Sequence, residues 1–220
     1  PIDPSRAAAP SKTDTLKTTS KNTPVITQES APTAAGDRKD EEKLLAAGRA
    51  ALNDPDGRRR ALTVAKLRHA KSEEAVDLLT DFLDDQDQMV VFHALNSLML
   101  IGYKNDNLKP KVYDILLQKA DDKQFAERGN ALIFASEIGK DERILQVISD
   151  YIEDYDEGET SKRFAAKALV GIATPESIGY LQKLLDTSQS PDIHHSALNT
   201  LSMINDEAAV SILEKKLYTS

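Results

Sequence analysis

Apolar residues recur with helical spacing along most of this chain, from about residue 41 onward. In the segment 194–204, Ala197, Leu198, Leu201 and Ile204 are three or four residues apart, which places them on one face of a helix. Four earlier segments align with this one without gaps. The five segments are 60–70 (RALTVAKLRHA), 91–101 (VFHALNSLMLI), 128–138 (RGNALIFASEI), 162–172 (KRFAAKALVGI) and 194–204 (HHSALNTLSMI). The pattern predicts five related amphipathic helices.

A second apolar-periodic segment follows each of these helices. Its apolar positions also align between copies, and one further column is apolar in every copy: Val76, Tyr113, Leu145, Ile178 and Val210. We therefore expect the second helices to be buried on two flanks, as stacking between repeats requires. The anchor leucine or alanine of the first helix recurs every 31 to 37 residues, at Leu67, Leu98, Ala135, Leu169 and Leu201.

Helix pairs of this length, each covering the next, form an α-solenoid. The predicted fold is all-α: a right-handed α-solenoid of about five helix pairs within a domain spanning 40–220. The predicted repeats are 54–85, 86–122, 123–157, 158–188 and 189–217. One more amphipathic helix, predicted at 41–53 (EEKLLAAGRAALN), has no partner helix before it and is expected to cap the first repeat.

Residues 1–39 differ in composition from the rest of the chain. Ser, Thr, Pro and Ala dominate this segment, and its few large apolar residues have no helical spacing. Such a segment buries too little apolar surface to offset its conformational entropy. We interpret it as a disordered tail or tether.

The repeat pattern resembles the HEAT family, in the short form found in phycobilin lyases. DPDGRRRALTVAKL with EEAVDLLTDFLDD (54–85), ALNSLMLIG (94–102), RGNALIFASEIG (128–139) and RFAAKALVGIATPESIGYLQKLL (163–185) carry the resemblance. The characteristic Trp, Gly and Tyr positions of tetratricopeptide repeats and the TPLH turn of ankyrin repeats are missing. The resemblance implies a solenoid, and it implies little about activity because this fold hosts many functions.

Composition narrows the classes of function. The 220 residues carry a net charge of −8 and include no Cys, which excludes a thiol nucleophile and Cys-ligated metal. An acidic chain is a poor ligand for nucleic acid or anionic lipid, so neither is expected as a partner. No apolar run approaches the roughly 20 residues needed to span a bilayer, so no membrane insertion is expected within this chain.

The histidines and one acidic segment are the candidates for metal chemistry. A HEAT-type enzyme family, deoxyhypusine hydroxylase, binds iron through His-Glu pairs, and no His here is followed by Glu. His69, His93, His194 and His195 also occupy different register positions, and we interpret them as surface or rim residues. The segment YIEDYDEGET (151–160) fails the spacing of a calcium-binding loop and is interpreted as a solvated acidic connection. We predict no catalytic, cofactor-binding or metal-binding residues.

The exposed columns of the second helices are the predicted partner-binding surface, because second helices line the concave side of a HEAT superhelix. Along the array these positions change from acidic to basic, which would orient an extended peptide or a partner helix. The candidate residues are Glu74, Asp77, Asp81, Lys111, Asp114, Gln118, Arg143, Gln146, Asp150, Lys183 and Lys215. An ordinary solvated face is the alternative interpretation.

The leading hypothesis is a non-enzymatic protein-protein interaction module, a HEAT-repeat adaptor or scaffold that binds a partner protein or peptide. One alternative is a structural subunit of a larger assembly, and another is a protein that handles a cofactor as phycobilin lyases do. The composition of the tail is similar to tethers that follow export signals in bacterial envelope proteins. It makes the periplasm or cell envelope one expected location, with the cytoplasm as the alternative.

Overall fold

The computed structural model describes residues 34–154 and 158–218, and these residues form eleven α-helices and no strand. The prediction of an all-α solenoid of five helix pairs preceded by a capping helix is confirmed for this part of the chain. The helices are α1 (Ala34–Ala51), α2 (Gly57–Lys66), α3 (Glu73–Asp81), α4 (Gln88–Lys104), α5 (Lys109–Asp121), α6 (Arg128–Ile138), α7 (Glu142–Glu153), α8 (Glu159–Ile172), α9 (Ile178–Thr187), α10 (Pro191–Met203) and α11 (Glu207–Tyr218).

The helix pairs are α2 with α3, α4 with α5, α6 with α7, α8 with α9, and α10 with α11. Short 3₁₀ turns at Leu67–His69 and Phe82–Asp84 extend α2 and α3, and a third at Pro175–Ser177 precedes α9. Polar caps set several helix starts. The carboxylates of Asp56, Asp87 and Asp141 accept backbone N–H groups at the first turns of α2, α4 and α7. These caps satisfy donors that have no partner within the helix.

The first helices face the core through the predicted columns. Leu67, Leu98, Ala135, Leu169 and Leu201 are all completely buried. The additional column of the second helices is buried where another repeat follows, at Val76, Tyr113, Leu145 and Ile178. In the last pair the corresponding Val210 is 50 % exposed, because no further helix pair covers it in the described chain. Stacking between repeats is therefore what buries this column.

The capping helix α1 begins at Ala34, earlier than the predicted start at 41. Residues 34–40 have no large apolar side chain, so hydrophobic periodicity gives no signal there, whereas local propensity and the exposed Asp40–Lys43 pair (3.2 Å) support a helix. Leu45 is buried on the core side of α1. Of the predicted tail, 1–33 lies outside the described residues.

Basic side chains near the start of four of the five first helices contact an adjacent connection, whereas the second repeat has Val91 at this position. The guanidinium of Arg60 donates to both carboxylate oxygens of Asp85 at 2.8 and 2.7 Å. Lys162 donates to the carbonyl of Thr187 at 2.8 Å, and a ring nitrogen of His194 donates to the carbonyl of Ser188 at 2.9 Å. Arg60, Lys162 and His194 are half-buried at this position, and each has a hydrogen-bond acceptor at a connection.

In the third repeat the same column holds Arg128, which is buried. Arg128 lies 3.3 Å from a carboxylate oxygen of Asp154 and stacks on the ring of Tyr151 at 4.2 Å. Asp154 is 9 % exposed, so it is not the solvated carboxylate that the acidic segment predicted. The correction has a physical reason, because the cation of Arg128 stabilises the buried negative charge. Residues 155–157 of the same segment lie outside the described residues.

One glycine is required by close helix packing. A Cβ placed on Gly129 of α6 would lie 2.5 Å from ring carbons of Phe164 on α8. The absence of a side chain at this position therefore allows the aromatic ring of the following repeat to contact the backbone of α6.

We predict that Gly129→Ala destabilises the protein. Overpacking of a well-packed interface costs about 1–3 kcal/mol, and the gain in helix propensity offsets at most about 1 kcal/mol of that. Urea unfolding followed by circular dichroism measures the change. Gly179→Ala in α9 is the matched control, because nothing lies within 4 Å of its added Cβ. Equal stabilisation by both substitutions would contradict this account of the α6–α8 contact.

The Arg60–Asp85 pair predicts a defined pH dependence of stability. The hydrogen bonds that Asp85 accepts from Arg60 lower the pKa of Asp85 below 3.8, the ordinary value for an aspartate. A carboxylate with a lowered pKa in the folded state stabilises the protein above its unfolded-state pKa, and this stabilisation is lost as the pH falls through its folded-state pKa.

We therefore expect Asp85→Asn to be less stable than the parent protein at pH 7. The difference should shrink below about pH 4, where the parent's own carboxylate is progressively protonated. Thermal unfolding midpoints between pH 3 and pH 7 test this. Asp81→Asn removes an exposed carboxylate from α3 and serves as the control for loss of charge alone. A pH-independent difference for Asp85→Asn would contradict the role of the ion pair.

Candidate functional site

The eleven predicted partner-binding residues all lie on second helices. They are Glu74, Asp77 and Asp81 on α3; Lys111, Asp114 and Gln118 on α5; Arg143, Gln146 and Asp150 on α7; Lys183 on α9; and Lys215 on α11. All are exposed except Lys111 and Lys183, which are half-buried. These residues are not independent surface charges, because many of them pair across neighbouring second helices.

One row of ion pairs joins the first halves of α3, α5 and α7. The ammonium of Lys111 on α5 lies 2.8 Å from Glu73 and 2.5 Å from Asp77 on α3. The guanidinium of Arg143 on α7 lies 2.8 Å from Asp114 on α5. The two cations along this part of the face are therefore neutralised by acids of the preceding repeat.

A second row lies at the carboxyl ends of the second helices. An acidic residue occupies the same register position in the first four repeats, and in three of them a lysine of the next second helix pairs with it. Asp84 pairs with Lys119 at 3.1 Å, Asp186 pairs with Lys216 at 3.4 Å, and Glu153 pairs with Lys183. Asp121 of α5 is the fourth acid, and within the described residues it has no ion pair.

A cleft of about 640 Å³ opens between α5 and α7, on the face where the second row is interrupted. Leu117 and Val147, both nearly buried, provide its apolar surface, and the other lining residues are polar or charged. The lining residues are Asp114, Leu117, Gln118, Asp121, Glu142, Arg143, Gln146 and Val147. Two apolar side chains beside six polar or charged ones offer a ligand both packing surface and hydrogen-bonding groups.

A hydrogen-bonded cluster fixes the position of Arg143 at the cleft. The hydroxyl of Tyr113 donates to Asp141 at 2.6 Å, and Arg143 lies 4.9 Å above the ring of Tyr113 and 2.9 Å from the same carboxylate. Burial, together with the bond to Asp141, raises the pKa of Tyr113, so its hydroxyl stays protonated. Burial opposes ionisation of Asp141, but the hydrogen bonds from Tyr113 and Arg143 outweigh burial and lower its pKa.

The structure brings four of the predicted residues together in this cleft: Asp114, Gln118, Arg143 and Gln146. Asp150 does not line the cleft, but it lies on α7 and accepts a hydrogen bond from Gln146 at 3.3 Å. The other predicted residues, on α3, α9 and α11, do not line the cleft. Sequence reasoning missed Leu117, Asp121, Glu142 and Val147 as site residues, and for Asp121 a signal existed in the repeated acidic column.

The four histidines do not converge. His69 and His195 are exposed, and His93 and His194 are half-buried on different first helices, with His93 in edge contact with Phe92. Across residues 34–154 and 158–218 there is no group of three His, Cys, Asp or Glu side chains that could hold a metal ion. No helix among these residues is long and apolar enough to cross a membrane.

Comparison with known proteins identifies the repeats. A family model for HEAT repeats matches residues 42–137 and 146–220. A solved structure of a designed armadillo repeat protein is similar at 22 % identity, with 78 % of this chain and 87 % of that chain covered and a TM-score of 0.45. A crystal structure of an engineered protein is similar at 18 % identity, with 74 % and 78 % covered and a TM-score of 0.47.

No curated protein matches this chain significantly. The match to the HEAT-repeat model covers well over half of the 220 residues, and the five helix pairs bury the columns that such repeats require. The chain belongs to the HEAT-repeat family.

Proposed function

We propose that this protein is a non-enzymatic interaction module that binds a segment of a partner protein in the cleft between α5 and α7. The observation that carries the proposal is the cleft itself, which combines a nearly buried apolar surface with polar groups on the outward face of the second helices. Its volume of about 640 Å³ accommodates a few side chains of a peptide, rather than a large folded surface.

The packing of the two helices that border the cleft favours binding of a peptide or helix. Leu116 on α5 and Ile148 on α7 are completely buried, so both helices are held by their core faces. A preorganised groove loses less conformational entropy when it binds a partner than a flexible surface does. The resulting interaction corresponds to a segment laid into a groove between helices, with apolar anchors and a polar rim.

The absence of catalytic activity is proposed on the chemistry of the side chains. The chain has no cysteine, and its histidines lie in three separate places: His69 after α2, His93 on α4, and the adjacent His194 and His195 on α10. Repeat solenoids are commonly interaction scaffolds, which agrees with this proposal. The alternatives from the sequence, a structural subunit and a cofactor-handling protein, have no observation in the described residues that favours them over peptide binding.

Panning tests the proposed function. A phage library that displays short random peptides is selected on the full chain, and synthetic versions of the enriched peptides are measured by fluorescence anisotropy. We expect Gln146→Arg, which places a long side chain at the edge of the cleft, to weaken binding by roughly tenfold, equivalent to about 1.4 kcal/mol.

Gln182→Arg is the matched control, because Gln182 is an exposed glutamine of α9 that does not line the cleft. Its affinity for the same peptides should equal that of the parent protein. Equal weakening by both substitutions, or unchanged binding with Gln146→Arg, would place the binding surface elsewhere. Failure to enrich any peptide over an unrelated helical protein would contradict peptide binding altogether.

A further inference from the structure

The repeated acidic column at the ends of the second helices indicates which kind of side chain the cleft lacks. Asp84, Asp121, Glu153 and Asp186 occupy one register position, each in or just beyond the last turn of its helix. A negative charge there is disfavoured by the helix dipole. A lysine of the next second helix offsets this in three repeats, and Asp121 is the exception.

Helix α7 explains the exception, because it has no cation at either of the positions that supply one elsewhere. Tyr151 takes the register position of Lys119 and Lys216, and Asp150 takes the position of Lys183. Tyr151 is completely buried, and its hydroxyl donates to the carbonyl of Ala120 at 2.9 Å. It is therefore held in the core, and among the described residues α7 supplies no cation to Asp121.

The charges around the cleft strengthen the same conclusion. Asp121 and Glu142 line the cleft and are exposed, and Asp150 is exposed on the same face of α7. Arg143 is the one cation among the lining residues, and it already contacts Asp114 at 2.8 Å and Asp141 at 2.9 Å. Lys123, two residues beyond Asp121, lies 4.0 Å from Asp154. The end of the cleft at Asp121 is thus negative, and no lysine or arginine of the described residues forms an ion pair with Asp121.

Building on the function proposed above, we propose that the partner segment supplies a lysine or arginine that pairs with Asp121, beside a large apolar side chain that packs on Leu117 and Val147. The cation of the partner takes the place that Lys119, Lys183 and Lys216 take in the other repeats. The apolar side chain covers the small part of Leu117 and Val147 that remains exposed in the cleft. Because the whole chain has a net charge of −8, a cationic segment is also favoured over a second copy of this chain.

A charge-reversal experiment tests the pairing. Random peptides are selected on the full chain, and each enriched peptide is measured by fluorescence anisotropy against the parent protein and Asp121→Lys. We expect enriched peptides to contain a Lys or Arg adjacent to a large apolar residue, and their affinity to fall by roughly tenfold or more with Asp121→Lys. A peptide in which that cation is replaced by Glu should bind Asp121→Lys more tightly than it binds the parent protein.

Two controls separate the pairing from changes in folding and in net charge. Lysine in the last turn of α5 is favoured by the helix dipole, so Asp121→Lys should keep the circular dichroism spectrum and unfolding midpoint of the parent protein. Glu214→Lys makes the same change of charge at an exposed position of α11 outside the cleft, and it should leave the affinity within about twofold, as expected for distant surface charges.

The outcomes distinguish this inference from the proposed function on which it rests. If enriched peptides lose affinity with Gln146→Arg but have no preferred cation, or bind Asp121→Lys as tightly as the parent protein, the cleft binds peptides and the inferred pairing is wrong. If Gln146→Arg has no effect, both proposals fail. Loss of affinity that Glu214→Lys reproduces equally would reduce the effect to net charge and would also overturn the pairing.

Discussion

The mutual covering of neighbouring helix pairs is the constraint on which this structure depends. A single pair has apolar residues on two flanks and can bury only part of them by itself, so its stability depends on the pairs before and after it. The exposure of Val210 in the last pair, beside the burial of Val76, Tyr113, Leu145 and Ile178, measures this dependence within one molecule. The capping helix α1 serves the same need at the other end, where Leu45 covers the first pair.

Polar contacts are added to this apolar stacking at places where helix ends or outward faces approach one another. Inside, Arg60 and Arg128 fix the connections that follow the second helices, through Asp85 and Asp154. Outside, exposed ion pairs join successive second helices, and each such pair is individually weak. Their importance here is geometric, because their regular recurrence makes the interruption at Asp121 recognisable as a feature of the surface.

Much of the fold could be predicted from the sequence, because apolar periodicity directly records which helix faces are buried. The early start of α1 was not predictable in this way, since residues 34–40 lack large apolar side chains. The burial of Asp154 depends on Arg128, a residue of the preceding helix that the local acidic pattern does not reveal. Half of the residues that line the cleft were predictable, because the exposed columns included Asp114, Gln118, Arg143 and Gln146. The other half were not, because the interrupted row of ion pairs depends on α7 having the buried Tyr151 where other repeats have a lysine.

The interruption at α7 has a consequence for how such a protein can change during evolution. Since the acid recurs in the first four repeats, the distinctive surface belongs to the junction between two consecutive units and not to either unit alone. If the third repeat were deleted, α9 would follow α5 directly, and Lys183 would pair with Asp121 and close the opening. If the third repeat were duplicated, a second opening of the same kind would form. Rearrangement of otherwise similar modules can therefore create or remove a recognition surface without substitution of a single residue.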